Sequence, residues 1–135
     1  MLAALLVMSL LFAVAWLPAS LAKRRAYGIS YLASNRDRPP ESTSLPLWGE
    51  RAERAYQNLK DNFPAFLVGV LSLEFLGVDS LLWVFLAWLF VACRVLHFTS
   101  YVAGIVAPRV VFWTLGLLSS LSLLGRGLWE VLGGV

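Results

Sequence analysis

Apolar and polar residues divide the chain into four apolar segments and the polar links between them. Residues 1–22 carry no charged side chain, and residues 81–105 and 109–132 are dominated by apolar ones. At about 1.5 Å per residue, each segment is long enough to cross a hydrocarbon core of about 30 Å. The pattern predicts three membrane-spanning helices in these segments.

A fourth helix is predicted over residues 48–77, with a polar first half and an apolar second half. Such a helix spans the bilayer and projects from it on one side. Pro64 predicts a bend in a helix that otherwise continues. Residues 77–80 form a short turn in which Asp79 or Ser80 caps the next helix, and Pro108 marks the break before residue 109.

Residues 23–47 are predicted to form a loop, because a basic start is followed by "SNRDRPPESTSLP", which is rich in turn-forming residues. The segment before this loop has two interpretations. Ser20-Leu21-Ala22 resembles the cleavage site of a signal peptide. A retained membrane helix is favoured, since no basic residue precedes the segment and Lys23, Arg24 and Arg25 follow it.

Composition excludes a soluble globular protein. The chain has 135 residues, of which 59% are hydrophobic and 14% charged, whereas soluble domains carry about 25% charged residues. The length predicts a single domain, residues 1–135. One histidine and one cysteine offer no metal-site spacing. The net charge of +3, without interleaved aromatic residues, gives no support for nucleic-acid binding.

The distribution of basic residues predicts the orientation in the membrane. The first link holds Lys23, Arg24, Arg25, Arg36 and Arg38, and Arg94 and Arg109 flank the last link. The intervening turn has only Glu74 and Asp79 nearby. The positive-inside rule therefore places both basic links in the cytoplasm and both termini outside.

Two predicted helices each carry a stripe of polar residues. At about 100° per residue, Arg51, Arg54, Asn58 and Asp61 lie within an arc of about 80°. The next helix carries Arg94, His97 and Tyr101 on one face, and Arg109 begins the last helix on the same side. Ionisable residues in membrane helices usually pair or line a cavity. We therefore predict a polar site near the cytoplasmic boundary.

Each arginine taken alone also has an interpretation that involves no ligand. Arg51 and Arg54 suit the solvated start of a helix, and Arg109 suits a topology signal. Asn58 and Asp61 have no such explanation, and the joint placement favours a site. Arginines bind carboxylates, an amide pairs with peptide groups and Asp61 suits an ammonium group, so a small anionic, peptide-like ligand is predicted. The adjacent lipid would supply an apolar second substrate.

The stretch "RAERAYQNLKDNFPAF" resembles the helix-two signature of the MAPEG family (membrane-associated proteins in eicosanoid and glutathione metabolism). That signature runs approximately E-R-x-x-R-A-x-x-N-x-x-E-x-x-P. This chain carries it as Glu50-Arg51, Arg54-Ala55, Asn58, Asp61 and Pro64. "RVLHFTSY" is similar to the family's helix-three element, and "SNRD" before the prolines resembles small bacterial members, which resemble microsomal glutathione transferases.

The resemblance implies an antiparallel bundle of four transmembrane helices, a homotrimer and a bacterial inner membrane, with periplasmic termini. It also implies glutathione sites between subunits on the cytoplasmic side. By position, glutathione would contact Arg51, Arg54, Asn58, Asp61, Arg94 and Tyr101. Arg109 would stabilise its thiolate, with a hydrogen bond from the Tyr101 hydroxyl.

Two functions are consistent with these residues. The first is a glutathione-dependent transferase or peroxidase that acts on lipophilic, membrane-derived electrophiles. The alternative is a non-catalytic membrane scaffold or lipid-binding protein that retains the fold. Asp61 is one methylene shorter than the family's glutamate, and the helix-four arginine varies in register, so both remain open.

Overall fold

The computed structural model describes residues 1–37, 40 and 43–133, and those residues form helices and links without a strand. The five helical segments are α1 (Leu2–Val14), α2 (Leu17–Leu32), α3 (Leu47–Phe75), α4 (Leu81–Ala103) and α5 (Val106–Val131). The prediction of an all-α protein is confirmed. Arg38, used in the orientation argument, lies outside the described residues.

The first predicted helix is interrupted between α1 and α2. Pro18 occupies the first turn of α2. Proline is tolerated there because the first turn needs no N–H donor, but its ring prevents a preceding helix from continuing through it. α2 extends to Leu32 with a kink at Gly28, whose φ of 81° and ψ of 170° are not helical, so the predicted loop boundary at residue 23 is corrected. Lys23 in this stretch pairs with α3, where its Nζ lies 2.6 Å from Glu53 Oε1.

The remaining helices follow the predicted order. α3 continues through Pro64, as predicted, and the bend there stays a prediction. The Ser80 hydroxyl accepts a hydrogen bond from the Leu82 N–H at 3.4 Å, which confirms the predicted cap of α4. Gly104, with a φ of 80°, ends α4. α5 begins at Val106, earlier than predicted, because Pro108 is tolerated within its first turn.

The core lies where α1, α3, α4 and α5 meet. The buried apolar residues that pack there include Leu5, Met8, Leu59, Phe66, Val70, Leu73, Phe90 and Leu123. The rings of Phe66 and Phe90 stack with centroids 4.0 Å apart, joining α3 to α4. Gly69 allows α3 to approach the backbone of α5 at Leu123. This close packing fixes α3, α4 and α5 relative to one another and positions the polar residues at their ends.

Three stretches of the described chain are long and apolar enough to cross a membrane, namely Leu2–Leu32, Leu81–Ala103 and Val106–Val131. Their outer faces expose large apolar side chains, among them Leu10 (70% exposed) and Phe85 (60% exposed). Such faces suit contact with lipid chains rather than water. α3 is not among these three stretches, because its first half is polar.

Candidate functional site

A cavity of about 200 Å³ lies where α3 approaches the junction of α4 and α5. Its lining consists of Asn58, His97, Tyr101, Arg109, Val110 and Trp113. We refer to it as the polar cavity. Three of the predicted site residues (Asn58, Tyr101 and Arg109) thus come together from three different helices, as the two polar stripes predicted.

His97 joins α4 to α5 at this cavity. Its ring is buried, with 4% of the residue exposed, and Nδ1 lies 2.9 Å from the carbonyl oxygen of Arg109. A carbonyl oxygen only accepts, so Nδ1 carries the proton and donates. Nε2 has no partner among the described residues. In the neutral imidazole this nitrogen is an acceptor.

Arg109 and Tyr101 form the electropositive wall of the cavity. The Arg109 guanidinium carbon lies 4.6 Å from the centroid of the Tyr101 ring, a cation–π arrangement. The Tyr101 ring also meets the His97 ring edge to face, at 5.6 Å between centroids. The hydrogen bond from His97 to the Arg109 backbone therefore holds the segment from which this guanidinium projects.

Asn58 contributes an amide from α3. Its Nδ2 donates to the carbonyl oxygen of Arg54 at 3.0 Å, within the same helix. The amide nitrogen carries two hydrogens, so Asn58 can still offer a ligand its second N–H as a donor and its side-chain oxygen as an acceptor.

Arg54 and Asp61 do not reach the polar cavity in the single chain. Both are exposed, and neither lines that cavity. Arg54 Nη1 lies 3.5 Å from Glu50 Oε2, one turn earlier on α3. The outer face of α3 thus presents a cation and a carboxylate away from the other two helices of the site.

Arg51 lies beside Gly104, at the C-terminal end of α4. Its guanidinium packs on Gly104, so closely that a side chain at Gly104 would displace it. The positive φ of Gly104 and this contact both require glycine at the position. The carbonyl end of a helix carries partial negative charge, which favours a cation beside the end of α4.

Arg94 lies behind the polar cavity rather than in its wall. The residue is buried, and Nη2 donates to the carbonyl oxygen of Trp113 at 3.3 Å. The guanidinium carbon also lies 4.9 Å from the centroid of the Phe90 ring. Gly116 leaves the space that this guanidinium occupies between α4 and α5. The structure therefore does not bring Arg94 together with the other predicted ligand-binding residues.

Two residues of the site had no role assigned from the sequence. His97 stood on the polar stripe of α4 without a function, and Trp113 was not identified. Trp113 is four residues after Arg109, so it shares the same face of α5. This four-residue spacing could have identified Trp113 from the sequence, but apolar segments rich in tryptophan contain many residue pairs with the same spacing.

The chemistry of the polar cavity favours an anion. It combines a guanidinium and a phenol, which can donate to negative charge, with the Asn58 amide, whereas the free ring nitrogen of His97 offers only an acceptor. The described residues include no cluster of three or more histidine, cysteine, aspartate or glutamate side chains that could hold a metal ion. A bound sulfur or carboxylate anion is the species that this lining can stabilise.

Comparison with known proteins identifies a family for this chain. The model of the MAPEG family matches residues 1–129, which covers all five helices almost to the end of α5. Among curated proteins, none matches the chain. The family match includes both polar stripes and agrees with the helical architecture and its membrane-spanning stretches. The chain therefore belongs to the MAPEG family and is a membrane protein of that family.

Proposed function

We propose that the protein is a glutathione-dependent transferase or peroxidase for lipophilic electrophiles. The observation that carries the proposal is the position of the Arg109 guanidinium, 4.6 Å over the Tyr101 ring, in a cavity that Asn58 also lines. In this proposal Arg109 stabilises the glutathione thiolate, Tyr101 donates a hydrogen bond to the sulfur, and Asn58 accepts from a peptide N–H.

A nearby cation makes the thiol a better nucleophile. A free thiol with a pKa near 8.5 is only about 3% thiolate at pH 7. A guanidinium in a site shielded from water lowers such a pKa by about one to two units, which raises the thiolate fraction to about a quarter or more. Such a gain is the catalytic contribution proposed for Arg109.

The thiolate then reacts in one of two ways. In transfer, sulfur attacks an electrophilic carbon, a C–S bond forms and the leaving group departs or an adjacent carbanion takes a proton. In peroxide reduction, sulfur attacks the terminal oxygen of a hydroperoxide, an S–O bond forms as the O–O bond breaks, and the lipid alkoxide takes a proton from solvent and leaves as an alcohol. The thiol of a second glutathione then attacks the sulfur of the resulting sulfenic acid, which forms the disulfide and releases water.

The exposed polar face of α3 supports an assembly of several chains. Arg54 and Asp61 are exposed on a single chain, and a second subunit packed there would place them around a shared ligand. We propose a homotrimer with glutathione between subunits, contacted by Arg51, Arg54, Asn58 and Asp61. We also propose α3 as a fourth span and the polar cavity on the cytoplasmic side of a bacterial inner membrane.

The test is ultraviolet difference spectroscopy on purified protein titrated with glutathione. We expect a thiolate band in the wild type and its loss in Arg109→Ala. Arg126→Ala is the matched control, because Arg126 lies near the other end of α5, where it pairs with Glu130. The mass of the detergent-purified complex reports the oligomeric state.

Two outcomes would contradict the proposal. Binding of glutathione without a thiolate band, and without turnover of a generic electrophile, would support the non-catalytic scaffold or lipid-binding alternative. Failure of calorimetry to detect any glutathione binding would exclude glutathione as the co-substrate.

A further inference from the structure

A second cavity, of about 200 Å³, lies between α2, the segment that follows α2 and the first half of α3. We refer to it as the α2–α3 cavity. Its lining consists of Trp16, Ala19, Ser20, Lys23, Leu32, Arg36, Glu53, Tyr56 and Gln57. It shares no lining residue with the polar cavity, so its occupant is a separate question from glutathione binding.

The kink at Gly28 builds the α2–α3 cavity. A straight helix would place residue 32 about 24 Å from residue 16, yet Leu32 and Arg36 line the cavity together with Trp16. The φ of 81° and ψ of 170° at Gly28 belong to a region of backbone conformation that is essentially restricted to glycine. The chain after this kink therefore turns back toward the start of α2.

Arg36 is held at the cavity by the end of α2. Its Nε and Nη2 donate to the carbonyl oxygen of Leu32 at 3.1 and 3.0 Å. A guanidinium has five N–H donors, so this contact leaves three for a ligand. The residue is exposed and forms no salt bridge among the described residues.

The α2–α3 cavity carries one unbalanced positive charge. Lys23 Nζ lies 2.6 Å from Glu53 Oε1, and this pair is neutral as a whole. Arg36 adds a cation, and the other lining residues are uncharged, so the lining has a net charge of +1. A ligand with a single negative charge complements it.

The cavity lies where the hydrocarbon region of the membrane meets water. Residues 1–22 carry no charged side chain, and Lys23 follows them in a stretch long and apolar enough to cross a membrane. Trp16 is 46% exposed, and exposed tryptophan rings favour the level of the lipid head groups. The ligands nearest to this cavity are therefore phospholipid head groups.

We propose that the α2–α3 cavity binds an anionic phospholipid whose head group carries hydroxyl groups, of which phosphatidylglycerol is the test case. Its phosphodiester has one negative charge and accepts hydrogen bonds from Arg36 and Lys23. Its glycerol hydroxyls donate to the Glu53 carboxylate and pair with the Gln57 amide. A zwitterionic head group brings an ammonium of its own and leaves the charge of the cavity unbalanced.

The test is native mass spectrometry of the full-length protein in detergent, titrated with phospholipids that share their acyl chains. The head groups are those of phosphatidylglycerol, phosphatidylethanolamine and phosphatidylcholine. We expect phosphatidylglycerol to bind saturably and roughly fivefold more tightly than the other two, because one basic residue near a membrane surface contributes about this much. Inorganic phosphate added at the same concentration should not displace it, since phosphate lacks the acyl chains that hold a lipid beside α2.

Two variants locate the site. Arg36→Gln should lower the affinity for phosphatidylglycerol roughly fivefold, to that for phosphatidylcholine. Arg126→Gln is the matched control, because it removes one positive charge near the other end of α5, where Arg126 pairs with Glu130. Gly28→Ala keeps every charge but is incompatible with the kink, so it should weaken the binding of phosphatidylglycerol as much as Arg36→Gln or more.

The outcomes decide the proposal in either direction. Equal binding of phosphatidylglycerol and phosphatidylcholine to the wild type would overturn it, as would unchanged phosphatidylglycerol binding in Arg36→Gln or an equal loss in Arg126→Gln. Displacement by inorganic phosphate would assign the cavity to a free anion instead. The head-group series uses the wild type without glutathione, so it stands even where Gly28→Ala fails to fold and whatever the enzymatic activity proves to be.

Discussion

The Nδ1 atom of His97 donates a hydrogen bond to the backbone carbonyl oxygen of Arg109 over 2.9 Å. This bond ties the last third of α4 to the first turn of α5, and the α4 cap at Gly104 makes the sharp connection between them possible. A buried histidine on one helix thus sets the backbone position from which the Arg109 guanidinium reaches the Tyr101 ring.

Replacement of His97 should therefore destabilise the protein. His97→Leu removes the donor of this bond between α4 and α5, while the Arg109 carbonyl oxygen keeps its acceptor position within α5, so we expect a loss of about 0.5–1.5 kcal/mol in the free energy of unfolding. His97→Gln keeps a donor and should lose less. Thr99→Val, at an exposed position on the same helix, is the control. Thermal unfolding in detergent measures the change, and wild-type stability in His97→Leu would contradict this role.

Close packing of α3 on α5 gives a second prediction. A methyl group at Gly69 would lie 3.0 Å from the Leu123 Cβ and 3.1 Å from the Leu124 backbone nitrogen. Gly69→Ala should therefore force the helices apart and lower the free energy of unfolding by about 1–3 kcal/mol.

Gly125→Ala is the matched control for Gly69→Ala. Gly125 is also helical, but a methyl group there would meet open space. The better helix propensity of alanine should leave this variant as stable as the wild type or more stable, by up to about 1 kcal/mol. Equal losses in the two variants, measured by unfolding in mixed micelles, would show that contact with Leu123 is not the cause.

The sequence predicted the helices well where long apolar segments determine them. α4 and α5 match the predicted segments closely, because a membrane helix needs length and apolar composition and little else. Pro108 was predicted to mark a break but lies in the first turn of α5, since a proline can either follow the end of one helix or begin the next. α2 packs against α3, and Lys23 pairs there with Glu53, thirty residues later, which local pattern does not reveal.

The candidate site was predicted in part for a related reason. Helical periodicity correctly placed Asn58, Tyr101 and Arg109 near one another, because spacing alone determines which face a residue occupies. It also grouped Arg94 with them, although the guanidinium lies behind the Trp113 backbone. The rotamer of a long side chain depends on the space that Gly116 leaves, and that information is not local to α4.

Arg54 allows binding to be separated from catalysis. In the proposed trimer it contacts glutathione in both the ground state and the transition state, so its loss removes uniform binding. We expect Arg54→Ala to raise the KM for glutathione and to leave kcat within about a factor of three. Arg24→Ala, another exposed arginine, should change neither constant. A fall in kcat without a change in KM would contradict the binding role.

Arg109 should show the opposite pattern. If its guanidinium stabilises the sulfur anion, Arg109→Ala should lower kcat by roughly eight- to twenty-fivefold at pH 7, because a loss of one to two pKa units returns the thiolate fraction to about 3%. Glutathione affinity should stay within a few-fold, since other residues hold the peptide. Arg109→Lys keeps a positive charge but not the planar fork, so it should recover only part of kcat. Steady-state kinetics with a generic electrophile on intact, detergent-purified protein measures both constants.

An unchanged kcat in Arg109→Ala would move the thiolate role to another group, and Tyr101 and His97 line the same cavity. Equal and complete loss in Arg54→Ala and Arg109→Ala would instead indicate failed assembly, so the mass of each variant's complex is determined alongside its kinetics.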